Sequence, residues 1–208
     1  MSLCVVENPM KNRRMTIARA HLVDSANGGF YHCIYRCVRQ AWLCGNGLVT
    51  GSTREHRWAW LEQRILRLTQ IFSIDVYSYA VLSNHYHIVV EVEPRRVMQW
   101  SDAEVVRRWQ YLRTITSKRT HRYLSAASVL KHPERIRELR ARLGSLSWYM
   151  RYINEPMARI SNHVDGCKGH FWEGRFKSIA LLDEVATLSC MAYVDLNPVR
   201  ARLATKLH

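Results

Sequence analysis

The 208-residue chain carries 31 Lys and Arg against 17 Asp and Glu, a formal charge of +14. A hydrophobic fraction of 48% and an aromatic fraction of 10% suffice for a real core, which excludes wholesale disorder. No apolar run approaches the roughly 18 residues of a spanning helix, so an integral membrane protein is excluded. The N-terminal stretch MSLCVVENPMKNRR places charges and a proline where a secretory signal needs an apolar segment, and the expectation is a cytoplasmic protein. Cys4, Cys33, Cys37, Cys44, Cys167 and Cys190 show no CxxC spacing, which fits free thiols in a reducing compartment.

The charge points to a polyanionic partner, nucleic acid first. Residues 101–180 hold 16 Lys and Arg against 7 Asp and Glu. Aromatic residues, among them Trp100, Trp109, Trp148, Tyr152 and Trp172, are interleaved with those bases. Flat stacking surfaces beside phosphate-binding cations suit a single strand.

In chain order, residues 1–15 read as a basic arm. Gly28 and Gly29 precede a strand over Phe30–Val38, with His32, Ile34 and Arg36 on one face. Glycines 45, 47 and 51 mark a loop. From Thr53 an apolar series at Trp58, Leu61, Ile65, Leu68 and Ile71 predicts an amphipathic helix. Two strands, Ile74–Leu82 and His85–Glu93, flank a tight Ser83-Asn84 turn. This β-α-β-β order predicts an α+β protein with a ferredoxin-like antiparallel sheet.

The character turns helical after Pro94, over about 95–145, as an insertion within a single domain spanning 1–208. Ser101 with Glu104 forms a capping-box start. Pro133 opens a long helix, interrupted near Gly144 and Pro156. Residues 170–181 read as a hairpin or final strand. Asp183 caps a last helix through Tyr193, ending before Pro198.

The chemistry-bearing motif is His85-Tyr86-His87. Side chains alternate on a strand, so both imidazoles project from one face, about 6.8 Å apart at Cα, within reach of one divalent cation. Tyr86 points the other way, into the core.

LSNHYHIVV, with two histidines flanking one bulky residue, resembles the HUH motif of single-strand DNA nucleases. With YHCIYRCVRQAWLCG, GHFWEGRFKS and MAYVDLNPVRA in order, the chain is similar to the insertion-sequence and REP-associated tyrosine transposases over residues 17–203. The resemblance implies a mechanism in which a helix-borne tyrosine attacks single-stranded or hairpin DNA. The tyrosine becomes joined to a 5′-phosphate and a 3′-hydroxyl leaves. His85 and His87 would hold Mg²⁺ or Mn²⁺, with a third ligand from the nucleophile helix, often an amide. Family members commonly work as dimers, although the sequence shows no heptad seam.

Laying RYINEPMARISNH over the family's nucleophile helix puts Met157 where the attacking tyrosine stands. The candidate nucleophiles are then Tyr152 and Tyr149, and the candidate third ligands Glu155 and Asn162. Arg36, Arg159, Lys168, Arg175 and Lys177 are candidate DNA contacts. Two readings follow: a metal-dependent transposase working through a phosphotyrosine, or a hairpin-binding protein of the same fold that does not cut.

Overall fold

The computed structural model describes residues 28–38, 55–116, 125–201 and 203. The basic arm, the glycine-marked loop and the Thr53 helix start lie outside the described residues, as does the middle of the basic stretch before Pro133. Four antiparallel strands, β1 (Gly29–Arg36), β2 (Ile74–Val81), β3 (His85–Val92) and β4 (Lys177–Leu181), form one sheet in the order β2-β3-β1-β4. That order is the ferredoxin-like arrangement, so the α+β expectation holds.

One sheet face is covered by α1 (Glu55–Thr69) and α6 (Leu146–Val164). Leu61, Ile65 and Leu68 line the inner stripe of α1, and Tyr149, Met150, Ile153 and Met157 that of α6. They meet Tyr31 and Cys33 of β1 and Tyr86, Ile88 and Val90 of β3, all buried. Tyr86 Oη donates to Asn154 Oδ1 at 2.6 Å, and Asn154 Nδ2 donates to Met150 O at 2.7 Å. A phenol inside the core therefore has a partner that is itself anchored.

Helices α2 (Pro94–Gln99), α3 (Asp102–Thr116), α4 (Ala126–Leu130) and α5 (Pro133–Leu143) intervene between β3 and α6. The Glu104 N–H donates to Ser101 Oγ at 3.2 Å, as the capping box predicts. The break expected at Gly144 separates α5 from α6, but Pro156 lies inside α6 without ending it. Proline supplies no N–H to the carbonyl four residues back. Here that carbonyl, Tyr152 O, accepts from Arg64 Nε at 3.0 Å instead.

The last helix, α7 (Glu184–Arg200), begins at Asp183, whose side chain accepts from the Ala186 N–H. It does not stop before Pro198 as expected; Ala201 N–H still reaches Asn197 O at 2.9 Å. This helix packs on the second sheet face, Val194 against Ala80 and Val89. Ser78 Oγ donates to Asp195 Oδ1 at 2.6 Å.

Two backbone details set the register. At Gly28 (φ +79°) a Cβ would lie 2.0 Å from Val92 O, so only glycine fits beside the end of β3. In β2 the pairing shifts between Val76, opposite Val90, and Ser78, opposite Val89, leaving Tyr77 as an extra residue. No described helix is long and apolar enough to cross a membrane.

Candidate histidine centre

Residues paired across antiparallel strands share a sheet face. Arg36 lies opposite His85 and Ile34 opposite His87, so β1 and β3 turn Arg36, His32, His85 and His87 toward α7. Lys177 pairs with Ile34 and belongs to the same face. Tyr86, between the two histidines, faces α6. One strand thus builds the core with its even positions and the site with its odd ones.

The three imidazoles form a chain. His85 Nδ1 lies 2.6 Å from Asn84 Oδ1, which accepts, so Nδ1 carries the proton and Nε2 the lone pair. The rings of His85 and His87 are 5.0 Å apart at their centroids. His87 Nδ1 is 2.9 Å from His32 Nε2, with those rings stacked. Both residues are nearly closed to solvent, His87 at 4% and His32 at 7% exposure. His87 Nε2 is buried with no hydrogen-bond partner among the described residues.

Burial, then the neighbouring His32, His85 and Arg36, holds His87 down to about 4 from its ordinary 6.5. His85 is lowered by burial and by Arg36, against Glu173, and His32 by burial. All three are therefore neutral at pH 7, the form that offers lone pairs. The sign for stability follows. Neutral His87 contributes stability that is complete above pH 6.5 and is lost as pH falls toward about 4. Urea denaturation at pH 7 and pH 4.5 is expected to show a loss on the order of 2 kcal/mol from this group. His87→Leu should flatten that pH dependence.

The tyrosine beside these histidines is on α7. The Tyr193 ring lies 5.8 Å from that of His87 and 6.3 Å from that of His32, and 43% of the residue is exposed. Asn197 follows one helical turn later on the same stripe. Its Nδ2 is buried with no partner among the described residues. Exchanging the two ends of an amide swaps nitrogen for oxygen at that position, so this corner can present a lone pair. Arg200 continues the stripe, its guanidinium 5.9 Å from the Tyr193 ring.

The structure does not bring the sequence-predicted nucleophiles to this centre. Tyr149 is fully buried, donates to Ile65 O at 3.2 Å, and has its phenol pushed well up by burial. Tyr152 packs among Phe72, Trp109 and Trp148. Both stand on α6, across the sheet from His85 and His87. The other α6 candidates are equally remote: Glu155 pairs with Arg151 and Arg159, and Asn162 donates to Gly169 O. Met157 is core. Arg159 and Lys168 belong to the outer side of α6 and the segment after it, and Arg175 lines a cavity between that segment and α6.

The sequence matches no protein-family model, and no curated protein matches it. Among solved structures, a REP-associated tyrosine transposase bound to a REP hairpin is similar at a TM-score of 0.50 and 13% identity. The likeness covers 93% of this chain and 78% of that one. The chain has that fold. Sequence reasoning did not single out Tyr193 and Asn197 as site residues, although a phenol and an amide spaced i, i+4 in YVDLN put both groups on one helix face.

Proposed function

We propose that the protein cleaves and rejoins single-stranded or hairpin DNA through a covalent phosphotyrosine, with Tyr193 as the nucleophile. The observation that carries this reading is the stripe Tyr193–Asn197 of α7 standing over the histidine face.

The donor set suits a divalent ion. Two neutral imidazoles retain Nε2 lone pairs, and an amide lacks a partner on the adjacent helix. Among the described residues no three His, Cys, Asp or Glu form a metal-holding group. His85, His87 and Asn197 would hold Mg²⁺ or Mn²⁺, which polarises the scissile phosphate when bound. His32 is a positioning residue. By accepting from His87 Nδ1–H it holds the ring and leaves Nε2 as the free lone pair.

Tyr193 Oη attacks phosphorus; the new O–P bond forms as the P–O3′ bond breaks, and the 3′-oxygen leaves protonated. Attack by a 3′-hydroxyl reverses the step, so rejoining needs no nucleotide cofactor. Arg36 and Lys177, on the same face, are placed to hold neighbouring phosphates. The reading without cleavage rested on Met157, whose place in the core leaves it no bearing on the histidines.

The test uses the wild-type chain, Mn²⁺ and a labelled hairpin oligonucleotide with a single-stranded tail. A protein–DNA adduct that survives denaturation is the expected result. Binding without any adduct across hairpins and single strands would leave the fold a DNA-binding one that does not cut.

A further inference from the structure

Among the described residues, a second concentration of positive charge lies on the sheet side opposite the histidines. A groove of about 840 Å³ runs between α1, α3, α5 and α6. Seven arginines and one carboxylate, Glu155, line it. Glu155 is shared, 3.1 Å from Arg151 and 3.5 Å from Arg159. Glu138, outside the groove, is shared in the same way by Arg135 and Arg142. One carboxylate divided between two guanidiniums leaves a full positive charge, so these pairs position the arginines without neutralising the groove.

The aromatics organise the cations further. Arg142 lies 4.4 Å from the Trp148 ring and 5.4 Å from that of Trp109, while Arg151 sits 5.1 Å from Trp148. Guanidiniums stacked on indoles are fixed planar forks, suited to phosphate oxygens.

We propose that this groove is a second nucleic-acid site, which holds a single strand by its phosphates away from the histidine face. The inference rests on the DNA-handling function proposed above. The two sites are separate because α1 and α6 cover the sheet face that carries Tyr86, whereas His85 and His87 face α7. A strand lying in the groove cannot reach the histidines through the sheet. Regular anionic spacing along one chain fits a row of arginines drawn from four helices.

The test is fluorescence anisotropy with labelled oligothymidylate over a potassium chloride series. Arg67→Glu with Arg113→Glu reverses two exposed charges on α1 and α3 and leaves the core untouched. It is expected to weaken binding about tenfold or more and to flatten the log–log salt slope by about 1.4, two phosphates at 0.7 each on single strands. Arg67→Lys with Arg113→Lys keeps the charge and should stay within about threefold of wild type. Unchanged affinity and slope in the charge-reversed protein, with binding lost instead in Arg36→Glu, would overturn the second site while leaving the proposed function standing. Wild-type protein that binds neither oligothymidylate nor the labelled hairpin would overturn both.

Discussion

Tyr193→Phe is expected to erase the covalent adduct and lower cleavage by at least about 10³-fold, as loss of a nucleophile does. The substitution keeps the ring against His87 and His32 and deletes only the hydroxyl, so hairpin affinity should stay within about twofold of wild type. Tyr152→Phe makes the contrast. That ring is half-buried among Phe72, Trp109 and Trp148 on the far side of the sheet, and its hydroxyl has no path to a phosphate held at the histidines. Cleavage should therefore survive it. Electrophoresis under denaturing conditions with 5′- and 3′-labelled hairpins reads both variants, and the label that stays with protein identifies the phosphate joined. An adduct persisting in Tyr193→Phe would move the nucleophile elsewhere.

The second large effect concerns the metal. His85→Ala with His87→Ala should abolish Mn²⁺ uptake in isothermal titration yet retain most DNA affinity, because the arginines that attract phosphate lie largely elsewhere. His32 separates orientation from ligation. His32→Leu leaves His87 Nδ1 without its acceptor and is expected to weaken Mn²⁺ binding by about 10–100-fold. His32→Gln restores an oxygen near the position of Nε2 and should recover most of that loss. Parallel loss of affinity in the Leu and Gln variants, each with the same drop in Tm, would mean that His32 serves packing alone. Unchanged uptake in the double alanine variant would make the histidine pair structural.

Much of the fold was legible because local signals agreed. Alternation around His85-Tyr86-His87 gave both the buried tyrosine and the shared histidine face, and Ser101 and Asp183 marked true helix starts. The chemistry was half legible. Two histidines two residues apart on a strand declare themselves, but His32 joins them only through the pairing of β1 with β3, which spans more than fifty residues of chain. The sequence reading turned to α6 for a related reason. RYINEPMARISNH has the amphipathic pattern of a site helix, yet its apolar stripe is what packs α6 onto α1 and the sheet. Pro156 and Pro198 misled in a common way. A proline inside a helix removes one hydrogen bond, and where a side chain such as Arg64 takes the freed carbonyl, the helix runs on.

The extra residue in β2 marks a point at which this strand tolerates a change of length. Before Tyr77, Ile74 and Val76 lie opposite Val92 and Val90 and face the core; after it, Ser78 and Ala80 lie opposite Val89 and His87 and seat α7. All four are even-numbered, and the extra residue between them is why even positions face one side before it and the other side after it. Tyr77 is itself 46% exposed, so many side chains could stand there. Deleting it leaves a regular ladder, with Val76 still opposite Val90 and Ser78 still opposite Val89, so all four keep their faces. Loss of a residue between Ile74 and Val76, or between Ser78 and Ala80, turns one of the pair over to the other face. Evolution along this strand is thus free in length at Tyr77 and closed to it on either side.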